Sequence, residues 1–186
     1  MRIISGSFKG KKILEPRDKK TRPLKDLTKE SIFNIIVHSK KIKINLGKAK
    51  ILDLFSGVGS FGLECLSRGA KQVIFIENYK GVLNILKKNL FNLKLISNYE
   101  IIEKNIYENK TFSLLNKRFD IIFLDPPYKD KNLEKIFLNI LNNNLLKDGG
   151  IIILHRHKSE KDNLPLKFKI IEEKKYGISK IIFISN

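Results

Sequence analysis

One cysteine, one methionine, no tryptophan and five prolines occur in 186 residues. The lone Cys65 excludes an internal disulfide framework, and no Cys/His spacing suits zinc, so no metal is expected. No apolar run approaches the ~20 residues that cross a bilayer. The opening Met-Arg-Ile-Ile-Ser-Gly lacks the apolar stretch of a signal peptide. The expectation is a cytoplasmic protein with no membrane contact. Acidic residues are also scarce, 19 against 37 basic, for a formal charge of +18.

What is present argues for a globular domain. Apolar residues make up 42% of the chain, enough for a core and too many for a disordered polymer. A Lys-, Ile- and Asn-dense composition can come from AT-rich coding alone, but that bias acts evenly along a chain. Here residues 1–50 hold 15 basic and 4 acidic residues, leaving 22 and 15 for the other 136. A basic N-terminal face is the footprint of phosphate binding, and it favours nucleic acid over a merely solvated surface.

Residues 1–25 read as a basic hairpin or arm, with strand-like pieces at Arg2–Ser5 and Lys11–Leu14 joined through Gly6 and Gly10. Residues 26–186 form the main domain. Apolar residues recur at helical spacing from Asp26 to Ser39, after which strands and helices alternate. Strands are expected near Lys50–Leu54, Gln72–Ile76, Tyr99–Ile102, Phe119–Leu124 and Gly150–Leu154. Helices are expected near Ser60–Arg68, Lys80–Asn92, Ile106–Asn116 and Leu133–Leu145. Apolar strands alternating with helices imply an α/β fold with a parallel sheet covered on both faces. The tail breaks the rhythm: Phe168–Glu172 and Ser179–Ile184, joined through Tyr176-Gly177, read as an antiparallel pair.

The most specific motif is Asp125-Pro126-Pro127-Tyr128, directly after the apolar strand Phe119–Leu124. Two consecutive prolines have no backbone N–H and fixed φ, so they form a stiff corner rather than continuing a sheet. Open α/β sheets place their chemistry at such strand ends. An Asp carboxylate, the Pro126 carbonyl and an aromatic face there make a receptor for a flat heterocycle with an exocyclic amino group. Acceptors at Asp125 and Pro126 would draw that nitrogen toward tetrahedral geometry and aim its lone pair at a methyl donor. Orientation of this kind supplies about 7–11 kcal/mol. Asp125 or solvent takes the proton afterwards. Tyr128 would stack on a base turned out of its helix or loop. By itself the tetrapeptide also fits a plain turn.

A second motif decides the cofactor. After the first core strand comes Asp53-Leu-Phe55-Ser56-Gly57-Val-Gly59-Ser-Phe-Gly62 and then a helix. Glycines there allow a tight turn and close backbone approach to a ligand. Alone the pattern would suggest a dinucleotide, and it also fits mere packing. A carboxylate at Asp53 opposes a pyrophosphate and suits a cation, which favours S-adenosylmethionine, with its ammonium and sulfonium. Glu77 closes the next strand, placed for ribose hydroxyls, and Asn105 follows the third strand, placed for an adenine edge. Cofactor contacts are thus expected at Asp53, Phe55, Ser56, Gly57, Gly59, Glu77, Asn78, Asn105, Ile106 and Asp125. Phosphate contacts are expected at Lys9, Lys11, Lys12, Arg17 and Arg22.

These residues resemble those of S-adenosylmethionine-dependent amino-methyltransferases. The whole chain is similar to one branch, the bacterial small-subunit ribosomal RNA guanine-N2 methyltransferases. The likeness runs from Arg2-Ile-Ile-Ser-Gly6 and Gly10-Lys-Lys-Ile13 through Thr21-Arg22-Pro23, Asp26 and Lys29-Glu30-Ser31-Ile-Phe33-Asn34. It continues through Asp53 to Glu64, Ser67-Arg68-Gly69-Ala70, Asp125-Pro-Pro-Tyr128 and Lys175-Tyr176-Gly177. The resemblance implies a Rossmann-like seven-stranded sheet, mostly parallel with an antiparallel C-terminal pair, and a basic hairpin extension. It implies methylation of a guanine N2 in 16S-type RNA, within the small ribosomal subunit or its precursor. Separately, the chain is expected to act as a monomer. Two positions depart from the family pattern: Leu24 stands where a small hydroxyl residue follows Arg-Pro, and Leu27 where an Arg follows the Asp.

Other readings stay open on the residues alone. A DNA adenine-N6 or cytosine-N4 methyltransferase could use the same corner, but no segment is large enough for a target-recognition domain. A protein-glutamine methyltransferase would have no obvious use for the basic arm. A non-catalytic RNA-binding assembly factor would explain the charge, but not the retained Asp125 and Glu77. Lack of a hydride-site acid or base disfavours an NAD-dependent oxidoreductase. His38 reads as a surface or capping residue and Cys65 as a small buried hydrophobe. His155 and His157 are RNA contacts or simply surface residues.

Overall fold

The computed structural model describes residues 1–16, 24–94, 98–128 and 130–186. The β/α alternation read from the sequence is present. Its strands are β1 (Lys50–Leu54), β2 (Gln72–Ile76), β3 (Tyr99–Ile102), β4 (Phe119–Leu124), β5 (Leu146–His157), β6 (Lys169–Tyr176) and β7 (Ser179–Ser185). Helix α1 (Asp26–His38) precedes the sheet, and α2 (Ser60–Ser67), α3 (Lys80–Asn92), α4 (Asn109–Ser113) and α5 (Leu133–Asn142) connect the parallel strands. All seven strands form one sheet in the order β3-β2-β1-β4-β5-β7-β6. Strands β1 to β5 are parallel, and β7 inserts antiparallel between β5 and β6. This is the Rossmann-like methyltransferase sheet that the resemblance implied.

Alternation of side chains along each strand sends apolar residues to both faces. Ile51, Ile121 and Phe123 join Phe33, Phe61, Leu63 and Leu86 on the face covered by α1, α2 and α3. Leu52, Leu54, Ile122 and Leu124 join Phe112, Ile136 and Phe137 on the face covered by α4 and α5. Strand order reverses between β1 and β4, so the connections after those two strands leave on opposite faces. A crevice therefore opens at their carboxyl ends, the place where ligands bind in sheets of this kind. Both sequence motifs stand there.

Several elements differ in extent from the sequence reading. α5 stops at Asn142, and β6 runs on to Tyr176 because its pairing with β7 continues to Tyr176 opposite Ser179. β5 runs on to His157 because β7 pairs with it, His155 opposite Ile181 and Arg156 opposite Lys180. α4 is one short turn-and-a-half because Asn105 starts an Asx turn instead: its Oδ1 accepts from the Tyr107 N–H at 3.0 Å.

The N-terminal segment is held against the sheet domain. It is a minimal hairpin with one bridge, Arg2 to Lys12. Its apolar Ile3 and Ile13 enter the α2-side core. Gly6, at φ +86, lies so close to α2 that a Cβ would stand 1.9 Å from the Ser67 carbonyl oxygen. The wholly buried Glu64 carboxylate accepts from the Ile4 and Ser5 N–H groups at 2.7 and 2.9 Å. Lys29 Nζ, also wholly buried, donates to the Arg2 carbonyl at 2.6 Å and lies 3.9 Å from Glu64. Burial lowers the Lys29 pKa despite the opposing pull of Glu64 and Asp26. Leu24, one of the two departures, is buried in this core, whereas Leu27 is exposed. Cys65 is buried, and desolvation pushes its thiol pKa well up. His38 is exposed in the last turn of α1. Among the described residues no helix is long and apolar enough to cross a membrane, and no cluster of potential metal ligands occurs.

Candidate active site

The glycine loop leaves β1 in a conformation that few side chains adopt. Phe55 has φ 60 although it is not glycine, and Gly57 and Gly59 have φ 55 and 85. Positive φ at a bulky residue costs energy that the surrounding structure must offset. Here Ser56 supplies the anchor, donating its hydroxyl to the Asp53 carbonyl at 2.6 Å and its N–H to the Ile76 carbonyl at 3.1 Å. Gly62 lets α2 approach the sheet: a Cβ there would lie 2.2 Å from the Phe75 ring. That approach brings the Gly62 N–H to 3.0 Å from Asp53 Oδ2.

Asp53 lies under this loop rather than facing open solvent, with 1% of its surface exposed. Its second oxygen, Oδ1, is buried with no hydrogen-bond partner among the described residues. Desolvation raises the carboxyl pKa well above the ordinary range, against the Gly62 bond; nearby Asp125 and Glu77 raise it further. An orphaned buried acceptor beneath a strained glycine loop fits a ligand that brings a positive charge or a donor, as an amino-acid ammonium does.

Glu77 ties that loop to the end of β2. Its Oε2 accepts from the Gly57 N–H at 2.8 Å, and its Oε1 accepts from the Asn78 and Tyr79 N–H groups at 2.9 and 2.8 Å. Asn78 is exposed beside it, and Ile106 is buried after β3. Asn105 turns its side-chain oxygen to its own backbone, and its carbonyl accepts from Thr111 Oγ1 at 2.7 Å. Asp53, Phe55, Ser56, Gly57, Gly59, Glu77, Asn78, Asn105 and Ile106 thus line three successive strand ends. These residues fit an elongated ligand with one cationic end and hydroxyls near Glu77.

Asp125 to Tyr128 form the neighbouring strand end. Parallel pairing sets Leu124 opposite Leu154, so the next residues, Asp125 and His155, stand side by side. His155 Nδ1 lies 2.8 Å from Asp125 Oδ1. The following residue, Arg156, points to the other face and is buried. Its Nη1 donates to the Pro127 and Tyr128 carbonyls at 3.1 and 3.2 Å, and its Nη2 to the Asp130 carbonyl at 2.9 Å. Asp162 neutralises the guanidinium, with Oδ1 3.0 Å from Nη2 and Oδ2 accepting from Nε at 3.2 Å. The Pro126 carbonyl stays outside this clamp. Tyr128 meets the His157 ring edge-on, with centroids 5.3 Å apart.

The loops are stitched together across the crevice. The Tyr107 hydroxyl donates to Asp130 Oδ2, and the Tyr107 ring lies 5.9 Å from that of Phe55. Burial and the Asp130 bond push the Tyr107 phenol pKa far up, so it remains a donor. The sequence offers no site role for Tyr107 or Arg156. It offers His155 only as an RNA contact or a surface residue, whereas the structure buries His155 beside Asp125. Equal strand endings at Leu124 and Leu154 were the available signal for His155.

Of the expected phosphate contacts, Lys9, Lys11 and Lys12 are exposed on the hairpin. Lys11 Nζ reaches the Asn92 carbonyl at 3.4 Å and lies over the Phe8 ring at 5.1 Å. Arg17 and Arg22 lie outside the described residues.

Comparison with known proteins agrees with this geometry. Ribosomal RNA small subunit methyltransferase D of Haemophilus influenzae is 34% identical over 179 residues, covering 96% of this chain and 90% of that protein. The protein of the same name from Escherichia coli strain K12 is 31% identical over 184 residues, covering 95% and 85%. The solved structure of Escherichia coli yhhF, described as a candidate methyltransferase, aligns with a TM-score of 0.81 at 28% identity, over 99% of this chain and 96% of that one. The family model described as Conserved hypothetical protein 95 matches residues 1–185, and the chain belongs to that family.

Proposed function

We propose that this protein transfers a methyl group from S-adenosylmethionine to the exocyclic N2 of a guanine in 16S-type ribosomal RNA. Its relatives of 31–34% identity bear the name of small-subunit ribosomal RNA methyltransferases, which supports the reaction class and the RNA. The observation that carries the reading is the Asp125 carboxylate, fixed at a proline corner beside the glycine loop, where the sheet order reverses. Bound at the glycine loop, S-adenosylmethionine supplies an electrophilic sulfonium methyl.

The chain's own groups do the rest. Asp53 Oδ1 receives the cationic end, while Glu77 fixes the loop and offers its remaining acceptor capacity to hydroxyls. Asp125 and the Pro126 carbonyl accept the two N–H bonds of the guanine amine, aligning its lone pair for in-line displacement. These acceptors interact better with a nitrogen that is gaining positive charge than with the flat ground-state amine, so they favour the transition state. Tyr128 stacks on the extruded base, a contact worth about 1–3 kcal/mol. Asp125 or solvent then removes the proton. Lys9, Lys11 and Lys12 hold RNA phosphates, with the small subunit or its precursor as the acceptor particle and the enzyme acting as a cytoplasmic monomer.

The test is methyl transfer from labelled S-adenosylmethionine to small subunits, free 16S-type RNA, duplex DNA and protein, with nucleoside analysis. N2-methylguanosine in RNA or subunits alone is the expected result. Label in DNA or protein would overturn the acceptor, and RNA binding without transfer to anything would favour an assembly factor.

A further inference from the structure

We infer that His155 is a positioning residue for methyl transfer, orienting the Asp125 carboxylate through its Nδ1–H. The inference rests on the proposed function and goes beyond it, because it gives a role to a residue outside the Asp-Pro-Pro-Tyr motif.

The terminal torsion of an aspartate is soft and broadly two-fold, so a carboxylate on a strand end swings unless something holds it. Asp125 sits on a backbone stiffened by two prolines, yet the prolines do not fix its side chain. His155 does. Its Nδ1 stands 2.8 Å from Oδ1, its side chain is largely buried, and its backbone is locked by pairing with Ile181 of β7. The Tyr128 ring meets the imidazole edge-on at 6.2 Å and closes one side of it. With Oδ1 occupied, the carboxylate plane is set and Oδ2 is the oxygen left for the substrate amine.

The bond also fixes the direction of proton flow. Facing an ionised carboxylate, the ring nitrogen must carry a proton to make an attractive contact, so the neutral imidazole is the Nδ1–H tautomer. A nitrogen that already donates cannot accept a proton from Asp125 along the same bond. His155 therefore orients and is no relay. The proton lost from the methylated amine stays on Asp125 or passes to solvent.

His155→Leu removes the donor, and His155→Asn returns a side-chain N–H close to the lost Nδ1. The leucine variant should lose about 10²-fold in kcat, the scale expected when a reacting group is misaimed. Its affinity for S-adenosylmethionine and its KM for RNA should stay near wild type. The asparagine variant should recover most of that loss. An asparagine variant that binds cofactor normally yet turns over no faster than the leucine variant would overturn the inference, as would a leucine variant with wild-type kcat. If the leucine variant fails to fold, the asparagine variant is read against wild type, and a loss of about 10²-fold in kcat with normal cofactor binding would overturn the inference. Nitrogen-15 spectra of labelled histidine give a readout that needs no RNA: Nδ1–H is expected for His155, reverting toward Nε2–H in Asp125→Ala, and Nε2–H in the wild type would refute it. A wild-type protein that methylates nothing would instead defeat the proposed function, leaving the tautomer to judge His155.

Discussion

Arg156 Nη1 lies 3.1 Å from the Pro127 carbonyl oxygen, and the same guanidinium reaches two further carbonyls of the reacting corner. A planar fork with five donors can satisfy three carbonyls and Asp162 at once, and an ammonium cannot. Arg156→Leu should cost about 3–5 kcal/mol, because Asp162 is left buried without its partner. Arg156→Lys should keep more of the stability but still lose turnover. Thermal melts read alongside transfer rates check both. A lysine variant with full activity would show that the fork is dispensable.

Asp125→Ala should reduce transfer by about 10²–10³-fold, the scale set by loss of one transition-state partner. Calorimetric titration with S-adenosylmethionine should still give near-normal affinity, since the glycine loop and Glu77 are untouched. Residual turnover close to wild type would show that the corner does not hold the amine.

Glu77→Ala should act in the opposite way. Three backbone N–H groups, from Gly57, Asn78 and Tyr79, converge on this carboxylate. Hydrogen bonds to a charged group contribute about 1.5–3 kcal/mol. Cofactor affinity should therefore fall by about one to two orders of magnitude, with weakened loop protection in amide exchange. Unaltered affinity would remove Glu77 from the cofactor site.

Asp53→Asn should stabilise the ligand-free protein, and more so as pH rises. Burial lifts the Asp53 pKa in the folded state above its unfolded value. A raised carboxyl pKa favours folding at pH below the unfolded pKa of about 3.9, and that contribution is lost as pH climbs toward the folded value. The asparagine variant has no such loss, so its melting temperature minus that of wild type should grow between acid and neutral pH. Its cofactor affinity should drop, because the acceptor for the cationic end has lost its charge. A pH-independent difference in melting temperature would contradict the assignment.

Neutralising Lys9, Lys11 and Lys12 together should flatten the dependence of RNA affinity on salt. Each phosphate contact contributes about 0.7–0.9 to the slope of log K against log salt. A triple glutamine variant should lose about 2 of that slope, with its melting temperature preserved because all three residues are exposed. An unchanged slope would place the RNA elsewhere.

The sequence determined the order of strands and helices, the two strand-end motifs and the concentration of positive charge. Each of these is written in local chemistry: apolar periodicity, prolines that cannot continue a strand, glycines that accept positive φ. Partnership was a different matter. Glu64 and Lys29 look like ordinary helix charges in the sequence, and only the packing of the hairpin on α2 buries them together. Ile3, Ser5 and Gly6 read as part of a basic arm, whereas the fold uses them as fasteners and leaves Lys9, Lys11 and Lys12 to solvent. His155 and Asp125 are 30 residues apart, and Arg156 and Pro127 are 29 apart. Their meeting depends on the register of β4 with β5 and on β7 prolonging β5 past its neighbour. Register comes from how two buried faces interlock over the whole sheet, a property no single segment carries, so the support of the reacting corner was decided by the tertiary structure.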